Sequence, residues 1–132
     1  MNQQTFKDSS PRIKIIQKIY GSLMNPDEEI IYPKSQYKKY IKDIVSGTLE
    51  RIDLLEETIT NYLNKDIDLK KTDKLLKIIL FSAVFELMFK HNTPKNVIIS
   101  EYVRASEFFL EKAQISYLNA VLDKLSKLIR KE

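Results

Sequence analysis

Side chains that serve as nucleophiles or metal ligands are scarce in this chain of 132 residues. Cysteine is absent, which excludes thiol catalysis, disulfide bonds and cysteine-based metal sites. His91, the single histidine, falls near the end of a predicted helix, where an imidazole more often complements the helix dipole than catalyses. Gly21 and Gly47 are the two glycines, too few for a glycine-rich loop that cradles phosphates. We therefore expect a binding protein and not an enzyme.

Two polar residues interrupt otherwise apolar helix faces. Glu86 directly follows the run IILFSAVF, and Asn119 lies within a stripe of the last helix. That stripe consists of Ile115, Leu118, Leu122 and Leu125. A buried polar group without a partner costs about 1–3 kcal/mol, so we expect both side chains to be satisfied. We expect Glu86 to accept hydrogen bonds from backbone N–H groups at a helix start and Asn119 to fix the docking of the last helix. A functional role for either residue comes second.

The elements that must position these residues are all predicted to be helices. Two glycines and four prolines leave long uninterrupted segments in which apolar residues recur with helical spacing. We predict helices over 11–25, 35–64, 72–91, 94–109 and 113–130. Ser10 is the predicted cap of the first helix. Gly47 costs the second helix roughly 1 kcal/mol relative to Ala, which indicates close approach of a neighbouring helix or a kink near GTLERID. The segment 72–91 is apolar almost all round, so we expect it at the centre of a bundle.

Charge and hydropathy bound the partners and the location of the protein. The net charge of +4 permits nucleic-acid binding without demonstrating it. Residues 1–10 are polar and lack the apolar core of a signal peptide, and the longest apolar run is too short to span a bilayer. We therefore expect a cytoplasmic protein without a membrane segment, folded as a single domain over residues 1–132.

Four segments together resemble the NusB family of bacterial transcription antitermination factors. They are RIKIIQKIY in the first helix, ILFSAVFEL in the central helix, Pro94 with VIISEYVRASEF shortly after it, and YLNAVLDKL in the last helix. Each segment alone is weak evidence for the family. Together the four are strong evidence, because they follow in the family's order and at matching distances over nearly the whole chain. The resemblance implies an all-α fold, a compact helical bundle of two packed three-helix groups.

The resemblance also implies a function, partners and site residues, and it implies neither a cofactor nor a metal ion. Members of the family pair with the NusE-type small-subunit ribosomal protein, bind boxA RNA of ribosomal RNA leaders and support an antitermination complex on RNA polymerase. By position in the family's pattern, the implied RNA-binding residues are Lys7, Arg12, Lys14, Gln17, Tyr20, Tyr62 and Tyr117. The tyrosines are included because single-stranded bases stack on aromatic rings at about 1–3 kcal/mol per base. Leu76 and Glu101 are the implied contacts to the protein partner, and Arg12 and Lys14 are both expected to be exposed.

One departure from the family's pattern bears on RNA affinity. Asp8, Ser9 and Ser10 stand where family members often carry arginines that contact RNA phosphates. Because lost phosphate contacts weaken binding, we expect RNA binding to depend strongly on the protein partner. Two alternatives stay open. One is a free-standing RNA-binding or adaptor domain related to the amino-terminal domain of ribosomal RNA cytosine methyltransferases, and the other is a helical adaptor without an RNA role.

Overall fold

The first helix begins at a proline whose fixed φ suits the first helical position. The computed structural model of the protein describes residues 10–131, and helix α1 spans Pro11–Met24. Ser10 is the N-cap residue, as predicted, but its side chain makes no capping hydrogen bond and its hydroxyl is buried without a partner among the described residues. One face of α1 is buried, and it carries Ile13, Ile15, Ile16 and Ile19.

The predicted long helix over 35–64 is two helices. Helix α2 spans Lys38–Glu50 and helix α3 spans Ile52–Leu63, with the break at Arg51. Gly47 lies where the ring of Phe85 meets α2, and a Cβ built on this glycine would lie 2.2 Å from Phe85 Cζ. The close approach and the kink, offered as alternatives from the sequence, therefore both occur.

The fourth helix is the centre of the fold. After two short 3₁₀ turns, Asn64–Asp66 and Leu69–Lys71, helix α4 spans Lys74–Phe89. Its start is capped by Asp73, whose carboxylate accepts from the backbone N–H groups of Leu75 and Leu76. From Ile78 to Leu87 every residue of α4 is buried, because the other five helices pack around it. The central position predicted for this segment is confirmed.

The last two helices close the bundle. Helix α5 spans Lys95–Ser106 and helix α6 spans Lys112–Ile129. Helices α4, α5 and α6 pack in all three pairs, α1 packs on α2, α4 and α5, and α3 packs on α2, α4 and α6. The described residues form six α-helices and no strand, so the predicted all-α bundle is confirmed. Within residues 10–131 no helix combines the length and the apolarity that a bilayer crossing requires.

Candidate nucleic-acid interface

The exposed face of α1 carries three of the residues implied to bind RNA. Gln17 is exposed, Lys14 is partly exposed and Tyr20 keeps 40% of its surface accessible. Successive helical residues are turned by about 100°, so Gln17 falls between Lys14 and Tyr20 around the helix axis. The isoleucines of the opposite face hold this surface against the core. Lys7 lies outside the described residues.

Arg12 does not belong to the exposed face. It precedes Ile15, Ile16 and Ile19 by three, four and seven positions, which places it on the buried side of α1. Only 7% of its surface is accessible. The guanidinium pairs with the carboxylate of Glu86, with Nε donating to Oε2 at 3.1 Å and Nη2 donating to Oε1 at 2.8 Å. The prediction that Arg12 is exposed for RNA is wrong, because its side chain is engaged inside the bundle.

Two tyrosines complete the buried cluster around this ion pair. The hydroxyl of Tyr40 accepts from Arg12 Nη2 at 2.8 Å and donates to Glu86 Oε1. The ring of Tyr102 lies 5.4 Å from the Arg12 guanidinium, within cation–π range. Burial first, and the Glu86 carboxylate second, raise the pKa of both tyrosines above the ordinary value. Burial, the largest single influence, lowers the pKa of Arg12, but Glu86, Tyr102 and Tyr40 together more than offset it, so the net shift of the pKa is upward.

The cluster corrects the predicted partners of Glu86. Glu86 has no accessible surface, in agreement with the sequence analysis, but its carboxylate accepts from side chains and not from the predicted backbone N–H groups. The interactions join α1, α2 and α4, with α5 contributing the Tyr102 ring. Since a bidentate arginine–carboxylate pair has a defined geometry, the cluster fixes the orientation of α1 on the central helix.

The other two implied RNA-binding tyrosines lie on different helices. Tyr62 on α3 is 39% exposed and borders a shallow groove with His91 and Ile129. Tyr117 on α6 is 38% exposed, and its hydroxyl donates to the backbone carbonyl of Asp66 at 3.3 Å. Partial burial first, and the Asp66 carboxylate second, raise the pKa of Tyr117. No contact among the described residues joins these two rings or links either to Tyr20, so their roles in RNA binding stay predictions.

Asn119 is exposed, and the prediction of a buried tether is wrong. The buried side of α6 is formed by Leu118, Val121, Leu122, Leu125 and Ser126. Around the helix axis, Asn119 lies about 100° to one side of Leu118, whereas Val121 lies about 60° to the other side. The buried side therefore extends away from Asn119. Ile115, which suggested the contrary, is itself only partly buried.

The residues implied to contact a protein partner differ in exposure. Leu76 is 6% exposed and belongs to the core, so the prediction that it forms a docking contact is wrong. It is the third residue of α4, where the helix has already entered the bundle. Glu101 on α5 is partly exposed, and its role stays a prediction.

Sequence reasoning missed Arg130, which is 5% exposed and satisfies the end of the central helix. Its guanidinium donates to four backbone carbonyls, two in the last turn of α4 and two just after the helix ends. The acceptors are Glu86 at 3.2 Å, Leu87 at 2.9 Å, Lys90 at 2.8 Å and Thr93 at 2.6 Å. The sequence shows an arginine immediately after an amphipathic helix. No feature of the neighbouring sequence indicates which carbonyls its side chain binds.

The arrangement provides surfaces for binding. Within residues 10–131, no three His, Asp or Glu side chains lie together in a way that could hold a metal ion. Within the described residues, the groups whose pKa is clearly raised are the buried Arg12 and four tyrosines. The two most deeply buried of these tyrosines, Tyr40 and Tyr102, belong to the cluster that joins α1 to α4. The polar face of α1 that carries Lys14, Gln17 and Tyr20 is one of the surfaces that a large partner can reach.

Comparisons of sequence with known proteins show the family of this chain. The profile of the NusB family matches residues 4–127. The transcription antitermination protein NusB of Sphingopyxis alaskensis is 26% identical to this chain over 149 aligned positions that span both proteins completely. The protein of the same name from Mesorhizobium japonicum is 34% identical over 71% of this chain and 61% of its own length. The one from Rickettsia massiliae is 35% identical over 67% of this chain and 56% of its own length.

Among solved structures, NusB of T. maritima superposes with a TM-score of 0.76. The superposition covers 89% of this chain and 90% of that chain at 19% sequence identity. At this identity it shows a common fold and nothing more. Since the family profile covers nearly the whole sequence and the helices follow the same fold, the chain belongs to the NusB family.

Proposed function

We propose that this protein is a transcription antitermination factor that binds boxA RNA of ribosomal RNA leaders together with a NusE-type small-subunit ribosomal protein. The observation that carries the proposal is the family match over residues 4–127, since relatives with full or partial alignments are named transcription antitermination proteins. In this role the pair joins an antitermination complex on RNA polymerase in the cytoplasm, and the protein acts by binding and not by catalysis.

The exposed face of α1 supports an RNA role. Lys14 supplies a cation for a phosphate, Gln17 supplies a donor and an acceptor, and Tyr20 supplies a ring on which a base can stack. The buried pair of Arg12 and Glu86 holds this face in one orientation. A preoriented surface loses less conformational entropy when it binds.

The thin positive charge of this face supports dependence on a protein partner. Each phosphate contact that a protein lacks reduces its affinity for single-stranded RNA, and Lys14 is the one lysine among the implied α1 residues that the structure describes. A partner that binds both the protein and the RNA adds contacts that this chain does not have. We therefore expect the complex to bind much more tightly than the chain alone.

The test is a fluorescence anisotropy titration of labelled boxA-type RNA with the protein alone, with the NusE-type protein alone and with both. The complex should bind at least about tenfold more tightly than either component, which corresponds to about 1.4 kcal/mol. An RNA of the same composition in scrambled order is the control. Equal affinity for boxA-type and scrambled RNA in the presence of the partner would overturn the proposal.

A pair of variants locates the contact. Lys14→Ala with Gln17→Ala should weaken boxA binding by the complex while leaving Tm nearly unchanged, since neither residue is buried. Lys112→Ala, at an exposed lysine on α6, is the matched control and should leave affinity nearly unchanged. An equal loss of boxA affinity in both variants would show that RNA binding depends on the net charge of the protein and not on the α1 face. Partner-independent binding of structured ribosomal RNA would instead favour a domain related to the methyltransferases.

A further inference from the structure

Four lysines line a cleft beside α1, and of these only Lys14 was singled out by the family resemblance. Lys14 and Lys18, one helical turn apart on α1, form one wall. Lys34, in the segment before α2, and Lys38, the first residue of α2, form the other wall. We call this the lysine cleft. Its volume is about 240 Å³, and its lining is completed by Tyr32, Pro33, Ser35 and Ile41.

The charge of the lysine cleft is uncompensated. No carboxylate lines it, and within residues 10–131 none of its four lysines forms an ion pair. Glu28 and Glu29 line the adjoining depression together with Lys18. Four like charges converging on a concave surface raise the local concentration of anions. The carboxylates of the adjoining depression limit the positive region on that side.

The shape of the cleft suits a phosphate backbone more than a base. Lys34 and Lys38 are exposed on mobile four-carbon stems, so their ammonium groups can follow a chain of phosphates. Tyr32 offers little ring for stacking, because it is partly buried and packs against the core. A site with point cations and without an exposed aromatic ring binds RNA with little preference for sequence.

The position of the cleft connects it to the face of α1 that the proposed function assigns to RNA. Lys14 belongs to both, and Gln17 lies beside Lys18 at the edge of the adjoining depression. We propose that the lysine cleft binds backbone phosphates of single-stranded RNA that continues beyond the nucleotides held by the exposed face of α1. This proposal rests on the proposed function for the identity of the RNA, but the binding of RNA phosphates in the cleft can be tested separately.

The probe for the separate test is a labelled oligouridylate, which contains no boxA sequence. Lys34→Ala with Lys38→Ala removes one wall of the cleft without touching the α1 face. We expect this variant to bind oligouridylate at least about fivefold more weakly at low salt. The slope of log K against log salt should fall by about 1.4, at about 0.7 for each lost phosphate contact. Lys112→Ala with Lys131→Ala carries the same change in net charge on exposed lysines and is the control.

Each result decides the proposal. Retained binding in Lys34→Arg with Lys38→Arg, together with weakened binding in the alanine pair alone, supports it. Equal weakening in the alanine pair and the control pair overturns it, and so does the absence of oligouridylate binding by the unmodified protein at low salt. Displacement of the RNA by polyglutamate of equal charge at the same concentration also overturns it, because the cleft would then accept any acidic chain. Failure to discriminate boxA from scrambled RNA with the partner present overturns the proposed function and leaves this inference standing.

Discussion

The guanidinium of Arg12 and the carboxylate of Glu86 form two hydrogen bonds inside the bundle, although the residues are 74 positions apart in the chain. Glu86 is completely buried, and Arg12 retains 7% of its surface. Charges taken out of water in this way are stable only while each has its partner. The pair therefore makes the docking of α1 on α4 conditional on both side chains.

The first prediction follows from this dependence. Arg12→Ala should lower the free energy of unfolding by about 3–5 kcal/mol, because it leaves the Glu86 carboxylate buried without its cation. Chemical denaturation measures the change. Lys14→Ala, on the opposite side of the same helix, is the control and should change stability by no more than about 0.5 kcal/mol. A loss below about 1 kcal/mol in Arg12→Ala would contradict the structural role of the pair.

The second prediction uses the two glycines as a matched pair. Gly47→Ala should destabilise the protein by about 1–3 kcal/mol, because the new methyl group would occupy the space of the Phe85 ring. The Phe85 ring lies between Phe89 and Arg51. Its centroid is 5.0 Å from the centroid of the Phe89 ring and 5.6 Å from the guanidinium carbon of Arg51. Gly21→Ala has open space around it and should stabilise α1 by about 0.5–1 kcal/mol.

A compensating change sharpens the glycine experiment. Phe85→Leu should recover part of the stability lost in Gly47→Ala, since the smaller side chain frees room beside α2. Equal effects of alanine at both glycines in thermal and chemical denaturation would show that close approach plays no part.

The third prediction concerns Asn119. Because this side chain is exposed, Asn119→Ala should change the free energy of unfolding by no more than about 0.5 kcal/mol. Leu118→Ala, at the adjacent and fully buried position, should cost about 2–5 kcal/mol. A loss greater than about 1 kcal/mol in Asn119→Ala would mean that it forms a tether after all. A boxA titration of the same variant tests a contact with RNA.

The fourth prediction is a pH dependence set by Tyr40 and Tyr102. Their pKa values in the folded protein are raised above the ordinary value of about 10, by burial and then by Glu86. The unfolded chain therefore loses these protons at lower pH than the folded protein does. Stability is unaffected well below pH 10 and falls as the pH rises above about 10.

Ultraviolet absorbance of tyrosinate and helical circular dichroism, recorded together, measure this effect. Fewer than all seven tyrosines should ionise while the helical signal is intact, and the remainder should ionise as the helices unfold. Tyr102→Phe should reduce the number that ionises late. Reversible titration of all seven with an unchanged helical signal would contradict the prediction.

The helices were predictable because their information is local. The apolar run before Glu86 is long enough that a helix formed by it exposes apolar side chains all round. Such a helix is stable only when other helices pack on every side of it, so the central position of α4 could be inferred. The division at Arg51 was harder, because it depends on Phe85 entering beside Gly47 and on the Arg51 guanidinium covering Phe85 and Phe89. These contacts come from a helix distant in sequence.

The candidate site was less predictable because charge alone does not tell an exposed arginine from a buried one. Arg12 shares its helical spacing with Ile16 and Ile19, and that pattern, if given more weight than the charge, places it inside. Glu86 in an apolar helix required a partner, but no local rule selects a residue on α1. Asn119 illustrates the opposite error, since its two apolar neighbours at helical spacing, Ile115 and Leu122, did not locate the centre of the buried side.

Glu86 is held from both ends of the chain, and this has a consequence for synthesis on the ribosome. When Glu86 is synthesised, Arg12, the partner of its carboxylate, is already part of the nascent chain. Arg130, which binds the carbonyls at the end of α4, is synthesised later. Lys90 and Arg130 are 40 positions apart. At roughly 5–20 residues per second, the intervening chain takes about 2–8 seconds to translate. During that interval the nascent protein carries its most apolar helix without α5 and α6 around it, which makes this the stage at which a chaperone has the most to bind.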